Sequence, residues 1–350
     1  MEVTLPFGPP VPPMLAKLER EIPRGDGWLY EPKWDGFRAI VFRDGDRVHI
    51  QSRDSRPLER YFPELAPALR DALPAGCVVD GEVIVAGPEG LDFDSLQLRI
   101  HPAESRVRKL SVEIPASFVA FDLLAEGGED LRGRPLAERR TRLVEALGLK
   151  ATERLPSGRT TVLLTPQTDD ADEAEGWFER LERIGLDGVI AKRADQPYIP
   201  GQRVMVKVKH RRTAECVVGG YRLAKSGDGV GSLLLGLYDD GGVLHYVGHT
   251  SAFNTRERRA VLEELRPLEG GESFGPGRTP GGPSRWTGGR DPAYVSVEPR
   301  LVCEVTYDHL QGERFRHATG FVRWRPDRRP RDCTFDQLGP PVDPAFRSPG

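Results

Sequence analysis

Short apolar segments of strand length, separated by turn-forming residues, recur along the whole chain. The clearest pair is GFRAIVFRDGDRVHIQSR, in which two alternating runs meet at Asp44-Gly45-Asp46. Alternation with a period of two predicts half-buried strands, and Asp-Gly between such runs predicts a hairpin. CVVDGEVIVA and SFVAFDLLA are β-branched and apolar throughout, which predicts strands that are fully buried. We therefore expect β-sheets to form the framework of the fold.

Four segments have helical spacing instead of alternation. Three of them lie in the first part of the chain: LERYFPELAPALRDAL, LAERRTRLVEAL and DDADEAEGWFERLERIG, the last of which opens with acidic capping residues. The fourth lies around residues 255–265. Strands and helices together predict an α+β fold.

The pattern of predicted elements changes after Lys209. Five short strand-like runs follow (AECVVGGYRL, GSLLLGLYDDG, VLHYVGHT, RLVCEVTYDHL and ATGFVRWRPDRR), with one helix and a loop rich in Gly, Pro and Arg at 270–289. This pattern predicts a small β-barrel of the OB type. A chain of 350 residues favours two domains over one. We predict a first domain at 1–212, an OB domain at 213–340 and a tail at 341–350.

The composition restricts where the protein works and what it binds. Net charge is only −3, so a nucleic-acid surface must be a local patch. The four cysteines lie far apart without a C-x-x-C pair, which argues against a zinc site and indicates a reduced cytoplasmic chain. We find no signal-peptide pattern and no apolar run of membrane-spanning length, so we expect no membrane association.

Lysine is scarce, because only 8 of the 50 Lys and Arg residues are Lys. An amine can become a nucleophile, whereas a guanidinium is never usefully deprotonated. One lysine lies in YEPKWDGFRA, where Lys33, Asp35 and Gly36 form K-x-D-G. By itself this pattern fits an inert, solvated strand lysine better than a reactive one. A reactive amine needs neighbouring positive charge, burial or a metal to favour its neutral form.

Charged residues elsewhere in the chain are candidates for those neighbours. Arg38 follows Lys33 by five residues, and Arg53 ends the second run of the predicted hairpin. Glu82 and Asp187 are acids in otherwise apolar strands. Buried acids are rare unless they are paired or bind a metal. Each has an ordinary structural explanation alone, but their joint occurrence favours a site.

A second pair of lysines has an unusual spacing. Lys207 and Lys209 differ by two positions in VMVKVKH, so on a strand both side chains point to the same face. Like charges repel there, which is unfavourable unless an anion such as phosphate lies between them. The pair therefore indicates an anion-binding strand.

The ordered series of motifs resembles that of the covalent nucleotidyltransferases, which include ATP-dependent DNA ligases, RNA ligases and mRNA capping enzymes. The matching segments are KWDG at 33–36, SR at 52–53, DGE at 80–82, FDLL at 121–124, DGVIAK at 187–192, KVK at 207–209 and RWRPDR at 323–328. The segments EPKWDGFRA and GLDGVIAKR most resemble the sequences of compact bacterial repair ligases and of the ligase module of bacterial end-joining enzymes. Asp187 stands where that motif usually has Glu, and Arg328 where the last motif often has Lys.

This resemblance implies a fold and a site. The fold is a nucleotidyltransferase domain of ATP-grasp-like antiparallel sheets with helices, followed by a C-terminal OB-fold β-barrel. Lys33 would be the catalytic residue that receives AMP from ATP. Residues that would bind the nucleotide are Glu31, Lys33, Arg38, Arg53, Glu82, Phe121, Asp187, Lys207, Lys209 and Arg325. Glu82 and Asp187 would hold Mg²⁺ or Mn²⁺, and Arg325 with Asp327 would close over pyrophosphate.

The resemblance also implies partners. AMP would pass to the 5′-phosphate of nicked duplex DNA, and an arginine-rich strip at 311–331 in the OB domain would contact the duplex backbone. An end-binding protein or a repair polymerase would assist a monomeric ligase, because the chain shows no extra N-terminal DNA-binding domain.

Three other readings stay open at the level of sequence. An RNA ligase shares the same chemistry, and a capping-type guanylyltransferase shares the covalent lysine but uses GTP. A non-catalytic nucleic-acid-binding OB protein would have lost the lysines and acids that this chain retains. NAD is less favoured than ATP, because NAD-dependent ligases usually carry a cysteine zinc module.

Overall fold

The computed structural model describes residues 4–88, 90–152, 155–181, 186, 188–209, 212–224, 227–251, 253–275, 293–307, 310–311, 314–315 and 318–338. The chain forms two compact units that divide between residues 210 and 211.

The first unit contains both strands and helices. Its strands are β1 (Leu15–Glu19), β2 (Trp28–Pro32), β3 (Phe37–Asp44), β4 (Arg47–Ser52), β5 (Cys77–Ile84), β6 (Ala86–Gly87), β7 (Gly90–Leu91), β8 (Ser117–Glu126), β9 (Glu129–Asp130), β10 (Val162–Leu164), β11 (Gly188–Arg193) and β12 (Arg203–Lys209). Its helices are α1 (Leu65–Ala72), α2 (Phe93–Leu98), α3 (Glu104–Glu113), α4 (Leu136–Leu147) and α5 (Ala171–Leu181).

Two larger sheets organise this unit. One has the strand order β10-β8-β5-β3-β4, with β9 added beside β8, and the other has the order β1-β12-β11-β2. Most neighbours are antiparallel, while β1 with β12 and β8 with β10 are parallel. The predicted hairpin is confirmed, because Asp44 pairs with Arg47 and Ala39 with Ser52. The predicted α+β class is confirmed as well.

Alternation along β3 explains how the larger sheet packs on both faces. Ala39 and Val41 belong to a core shared with Leu65 and Leu69 of α1 and with residues of α4. The intervening side chains belong to a different core, which includes Met205 of the other sheet. Successive residues point to opposite faces, so one face of the sheet packs on helices and the other packs toward the second sheet.

The proline-rich segment before β1 runs in extended form over the larger sheet. The backbone of Val11 is held by the buried amide of Gln51 on β4: Val11 N donates to Oε1 at 2.8 Å, and Nε2 donates to Val11 O at 2.7 Å. Phe7 packs edge-on against Phe42, with ring centroids 6.5 Å apart. The segment thus forms a fixed wall of the unit.

The second unit is mainly β. Its strands are β13 (Arg212–Leu223), β14 (Val230–Tyr238), β15 (Leu244–Thr250), β16 (Val295–Ser296), β17 (Val302–Tyr307), β18 (Leu310–Gln311), β19 (Arg314–Phe315) and β20 (Gly320–Trp324). Helix α6 (Thr255–Leu265) starts with a capping box in which Asn254 and Glu257 satisfy each other's backbone N–H groups. Short 3₁₀ turns span Arg266–Leu268, Pro330–Asp332 and Phe335–Leu338.

The main sheet of this unit curls toward closure. Its strand order is β15-β14-β13-β17-β20, with β16 paired to β13. The end of β15 meets the residue before β20 through a parallel bridge between Thr250 and Thr319. Thr319 N donates to His249 O at 2.9 Å, and Thr250 Oγ1 donates to Thr319 O at 2.8 Å. These contacts join the two outer strands and confirm the predicted OB-type barrel.

Within the residues that the structure describes, no helix has both the length and the apolar character needed to cross a bilayer.

Candidate active site

A cleft in the first unit is lined by side chains from both of its larger sheets and from the proline-rich segment. Seven of the predicted site residues line this cleft: Glu31, Lys33, Arg38, Arg53, Glu82, Phe121 and Lys207. The other three predicted site residues are not part of this described lining. Lys209 is described but lies beyond the lining, Arg325 belongs to the second unit, and Asp187 lies outside the described residues.

Packing on both sides of Lys33 fixes its backbone at the mouth of the cleft. Lys33 N donates to Gly188 O at 2.8 Å, which ties the end of β2 to the start of β11. The next side chain, Trp34, is buried and donates from Nε1 to Thr165 Oγ1 at 2.8 Å. A Cβ on Gly36 would lie 2.3 Å from the carbonyl oxygen of Val83, so only glycine permits β5 to pass this closely. These contacts together fix the backbone of the K-x-D-G loop.

Glu31 is a buried carboxylate with two defined donors. Its side chain is only 3% exposed, although it lines the cleft. Lys192 Nζ lies 2.7 Å from Oε2, and Gln167 Nε2 lies 2.7 Å from Oε1. Lys192 is equally buried. Each carboxylate oxygen thus accepts one hydrogen bond from the protein and can accept a second.

The ring of Phe121 contacts both Arg38 and Lys192, the residue that pairs with Glu31. Its ring is 6% exposed, with the guanidinium carbon of Arg38 4.4 Å and Lys192 Nζ 4.7 Å from the ring centroid. Cations at these distances interact favourably with the ring face. The ring links the carboxylate end of the cleft, at Glu31, to the arginine end.

Arg38 is held in place by a buried network. Its Nε and Nη2 donate to the two oxygens of Asp80 at 2.6 Å each. Asp80 also accepts from the Tyr198 hydroxyl at 2.6 Å, and that hydroxyl accepts from Met14 N at 3.0 Å. Burial, followed by the charge of Asp80, raises the pKa of Tyr198 well above its usual value, so the phenol stays protonated. The network fixes the guanidinium against the wall that Met14 helps to form.

The electrostatics of the cleft favour an additional anion and a cation. Burial raises the pKa of Glu82 to about 7, an effect that Arg38 and Lys33 only partly oppose. Burial, and then the charges of Lys209 and Lys33, lower the pKa of Lys207. Both shifts have the sign expected when a charged form lacks full compensation. A phosphate near Lys207 and a metal ion near Glu82 would each supply missing charge.

The described residues contain no cluster of three or more His, Cys, Asp or Glu side chains that could hold a metal ion without another ligand. Glu82 is the member of the predicted metal pair that the structure describes. Its incompletely compensated carboxyl fits a hard cation, and phosphate oxygens of a nucleotide would complete the ligand set.

The arginines of the last motif are paired with acids in the second unit. Arg325 contacts Glu215 and donates to Asp327 at 2.8 and 2.9 Å. Arg328 Nε lies 2.7 Å from Glu215, and Arg323 Nε lies 2.7 Å from Glu304. The predicted arginine-rich strip is therefore interleaved with carboxylates where the structure describes it, and its net positive charge is smaller than the sequence indicated.

Sequence reasoning did not assign roles to several residues that shape the cleft. Lys192 lies in the DGVIAK motif, and a lysine in the apolar run GVIAKR is a signal for a member of a buried ion pair. Gln167 and Tyr198 gave no such signal, because their partners lie 136 and 118 residues away along the chain.

A lysine-bearing cleft in one unit, with an OB-type barrel in the other, defines the architecture of the covalent nucleotidyltransferases. Residues 13–209 match the family described as ATP dependent DNA ligase domain, and residues 226–328 match the ATP dependent DNA ligase C terminal region. The chain belongs to the family of ATP-dependent DNA ligases, and its enzyme class is that of a DNA ligase that uses ATP.

Similar proteins agree with this assignment. DNA ligase C2 of Mycolicibacterium smegmatis is 51% identical over 351 residues, which cover 96% of each chain. DNA ligase C of Mycobacterium tuberculosis is 52% identical over 350 residues, which cover 97% of this chain and 96% of the relative. Among solved structures, a Lig E DNA ligase is 17% identical, with a TM-score of 0.55 over 89% of this chain and 99% of the other, a likeness of fold.

Proposed function

We propose that the protein seals nicks in duplex DNA through a covalent lysine–AMP intermediate on Lys33. The observation that carries this proposal is the position of Lys33 in a cleft that also presents Lys207, Arg38 and Arg53. An amine among fixed cations suits attack on a polyanionic nucleotide, because the cations neutralise phosphate charge as it develops.

The first step is nucleotidyl transfer. The neutral Nζ of Lys33 attacks the α-phosphorus of ATP, a P–N bond forms, and the bond to the bridging oxygen breaks so that pyrophosphate leaves with the electron pair. The amine proton passes to solvent. Lys207 and Arg53, which line the cleft, stabilise the charge on the phosphate oxygens, and the Asp80-anchored Arg38 orients the nucleotide.

Two further transfers complete sealing. A 5′-phosphate oxygen of the nick attacks the phosphorus of the lysine-bound AMP. The P–N bond breaks, Lys33 is released, and a pyrophosphate bond forms between AMP and the DNA end. The 3′-hydroxyl then attacks the DNA phosphorus, and AMP leaves as the phosphodiester forms. Arg325 of the second unit acts on the pyrophosphate leaving group in the first step.

A divalent cation, Mg²⁺ or Mn²⁺, would screen phosphate charge during these transfers. Glu82 is the described side chain that would hold it, with Asp187 as a second proposed ligand. The pKa of about 7 at Glu82 supports this role, since a carboxyl that is costly to ionise alone gains most from a nearby cation.

At the other end of the cleft, Glu31 accepts a hydrogen bond from the exocyclic amine of adenine, and Phe121 packs against the base. The buried position of both side chains supports this assignment, because hydrogen bonds in a site shielded from water discriminate more strongly between ligands.

The cellular setting that we propose is DNA repair in the cytoplasm, with the ligase acting as a monomer on nicked duplexes bound through the OB domain. A relative from Mycobacterium tuberculosis, 33% identical over 87% of this chain, is named a multifunctional non-homologous end joining DNA repair protein, of which the match covers 37%. This likeness supports cooperation with an end-binding protein or a repair polymerase.

The test is transfer of label from α-labelled ATP to the protein, followed by a chase with nicked DNA. We expect Mg²⁺- or Mn²⁺-dependent label in the wild type, none in Lys33→Ala, and sealed product in the chase. Lys17→Ala, at an exposed position, is the matched control. Label from GTP instead of ATP, label that survives Lys33→Ala, or sealing of RNA nicks alone would contradict the proposal.

A further inference from the structure

Glu31 accepts hydrogen bonds from two residues that have no role in the proposed transfer steps. Lys192, from β11, and Gln167, from the loop after β10, contact different oxygens of the same carboxylate, each at 2.7 Å. Glu31 and Lys192 both line the cleft, whereas Gln167 contacts the carboxylate from outside the lining. The side chain is therefore fixed by two elements that meet at β2.

Backbone pairing sets the position of Gln167. Tyr30, the neighbour of Glu31, donates from N to Thr168 O at 2.8 Å, and Thr168 N donates to Tyr30 O at 3.1 Å. This antiparallel bridge places the residue before Thr168 beside the residue after Tyr30. The loop thus presents the Gln167 amide to Glu31 in a fixed register.

Nearby cations compensate the charge of the Glu31 carboxylate. Lys192 is 3% exposed and pairs directly with it. The buried Arg140 of α4 lies close enough for its charge to interact with Glu31, and its Nη2 donates to Thr165 O at 2.6 Å. The carboxylate acts as an acceptor, because Lys192 and Gln167 both donate to it.

We propose that Gln167 and Lys192 are positioning residues that fix Glu31 as a hydrogen-bond acceptor and thereby make the site selective for purine nucleotides with an amine at C6. This inference rests on the proposed function, in which Glu31 meets the base. A fixed acceptor accepts from the amine of adenine. It repels the C6 carbonyl oxygen of hypoxanthine or guanine, since two acceptors then face each other in a buried site.

ITP is the sharpest probe, because its hypoxanthine base replaces the C6 amine of adenine with a carbonyl and adds no group at C2. The measured quantity is the ratio of Lys33-dependent labelling rates with ATP and ITP at subsaturating nucleotide. In the wild type we expect strong preference for ATP. Lys192→Met and Gln167→Leu should lower the ratio by about tenfold or more, the size expected for hydrogen bonds to a charged group.

Several variants separate positioning from mere structural support. Lys192→Arg keeps the cation and should restore most of the ratio. Lys109→Met and Gln97→Leu make the same replacements at exposed positions of α3 and α2 and should leave it unchanged. Melting temperatures show whether each variant folds. Gln167→Leu removes a neutral donor from a half-buried position, so it tests the inference even where Lys192→Met does not fold.

The outcomes distinguish the inference from the function on which it rests. Absence of Lys33-dependent label in the wild type would overturn both. Wild-type label with equal use of ATP and ITP would overturn the inference alone. The same holds if Lys192→Met and Gln167→Leu slow ATP and ITP labelling by equal factors, since a purely structural effect lowers both rates together. A selective fall in the ATP-to-ITP ratio, restored by Lys192→Arg, would confirm it.

Discussion

Two glycines determine how closely the strands around the cleft can approach. A Cβ on Gly36 would lie 2.3 Å from Val83 O, and a Cβ on Gly188 would lie 1.9 Å from Val208 O. Both obstacles are backbone atoms of a neighbouring strand, which cannot move without breaking the ladder. Gly36 belongs to the lysine motif, and Gly188 accepts the hydrogen bond from Lys33 N, so both glycines control where Lys33 lies.

Replacing Gly36 by Ala should therefore disturb both stability and chemistry. We expect Gly36→Ala to lower the free energy of unfolding by about 1–3 kcal/mol, as for other overpacked sites, and to reduce Lys33 adenylation. Denaturant unfolding and ATP labelling measure the two effects. Gly133→Ala is the control, because nothing lies within 4 Å of its added Cβ. A Gly36→Ala protein with wild-type stability would contradict the packing argument.

Glu82 should make stability depend on pH in the absence of a divalent cation. Burial raises the pKa of this carboxyl to about 7, whereas an unfolded Glu ionises near ~4.3. Between these values the folded state holds the extra proton, so this contribution to stability is complete below the unfolded pKa and is lost as pH rises through 7. Glu82→Gln lacks the titration and should gain stability relative to wild type toward pH 8.

Melting in EDTA at pH 5 and pH 8 measures this difference. The melting temperature of Glu82→Gln minus that of the wild type should be larger at pH 8, by roughly 3 °C for each kcal/mol. Glu145→Gln, on the exposed side of α4, should show no such trend. A difference that is constant with pH would show that Glu82 does not titrate in this range.

At the scale of elements, the proline-rich segment forms one wall of the cleft and is anchored by a buried side-chain amide. Pro13, Met14 and Leu15 line the cleft, while the amide of Gln51 holds Val11 by two hydrogen bonds. A Pro-rich segment has few N–H groups with which to join a sheet, so a side-chain amide replaces part of a strand ladder here. Gln51 thus connects β4 to the shape of the cleft.

Gln51→Leu should loosen this wall. The change removes both hydrogen bonds and leaves the Val11 N–H and C=O without their partner, at a cost of about 2 kcal/mol. We expect the KM for ATP in Lys33 labelling to rise by up to about tenfold, with faster proteolytic cleavage before β1. Gln97→Leu is the exposed control. Unchanged KM and unchanged cleavage would show that the remaining contacts hold the segment without Gln51.

Elements with strong local patterns were predictable, and those defined by distant contacts were not. The β3–β4 hairpin, the buried strands β5 and β8, and the helices α4 and α5 follow from alternation, apolar runs and helical spacing. Helices α2 and α3 were not predicted, because α3 buries only Val107 and Leu110 and its apolar pattern is weak. The order of motifs predicted seven residues that line the cleft, but the anchoring of Arg38 by Asp80 and Tyr198 arises only from the folded topology.

At the scale of the whole molecule, the proposed site residues belong to two different units. Lys33 belongs to the first unit and Arg325 to the second. Within the second unit Arg325 contacts Glu215 and Asp327, and Glu304 lies 3.5 Å away. A guanidinium engaged by carboxylates must give up at least part of these contacts before it can contact a phosphate. The ion pairs therefore oppose the proposed action of Arg325 on pyrophosphate.

Removing one of these carboxylates should speed the first step. Glu215→Gln keeps the shape of the side chain but removes the charge that pairs with both Arg325 and Arg328. We expect Lys33 adenylation at subsaturating ATP to become about threefold to tenfold faster, which corresponds to roughly 1 kcal/mol of released ion pairing. Single-turnover labelling measures this rate, with Glu298→Gln as a control that breaks the exposed pair with Arg300.

A double-mutant cycle assigns the gain to Arg325. Arg325→Ala should slow adenylation, and adding Glu215→Gln to that variant should give no further acceleration, because the competing partner is already absent. Equal acceleration in both backgrounds would place the effect of Glu215 on another group, Arg328 being the nearest candidate. No acceleration in either background would mean that these ion pairs do not limit the first step, and that Arg325 contributes to stability of the second unit instead.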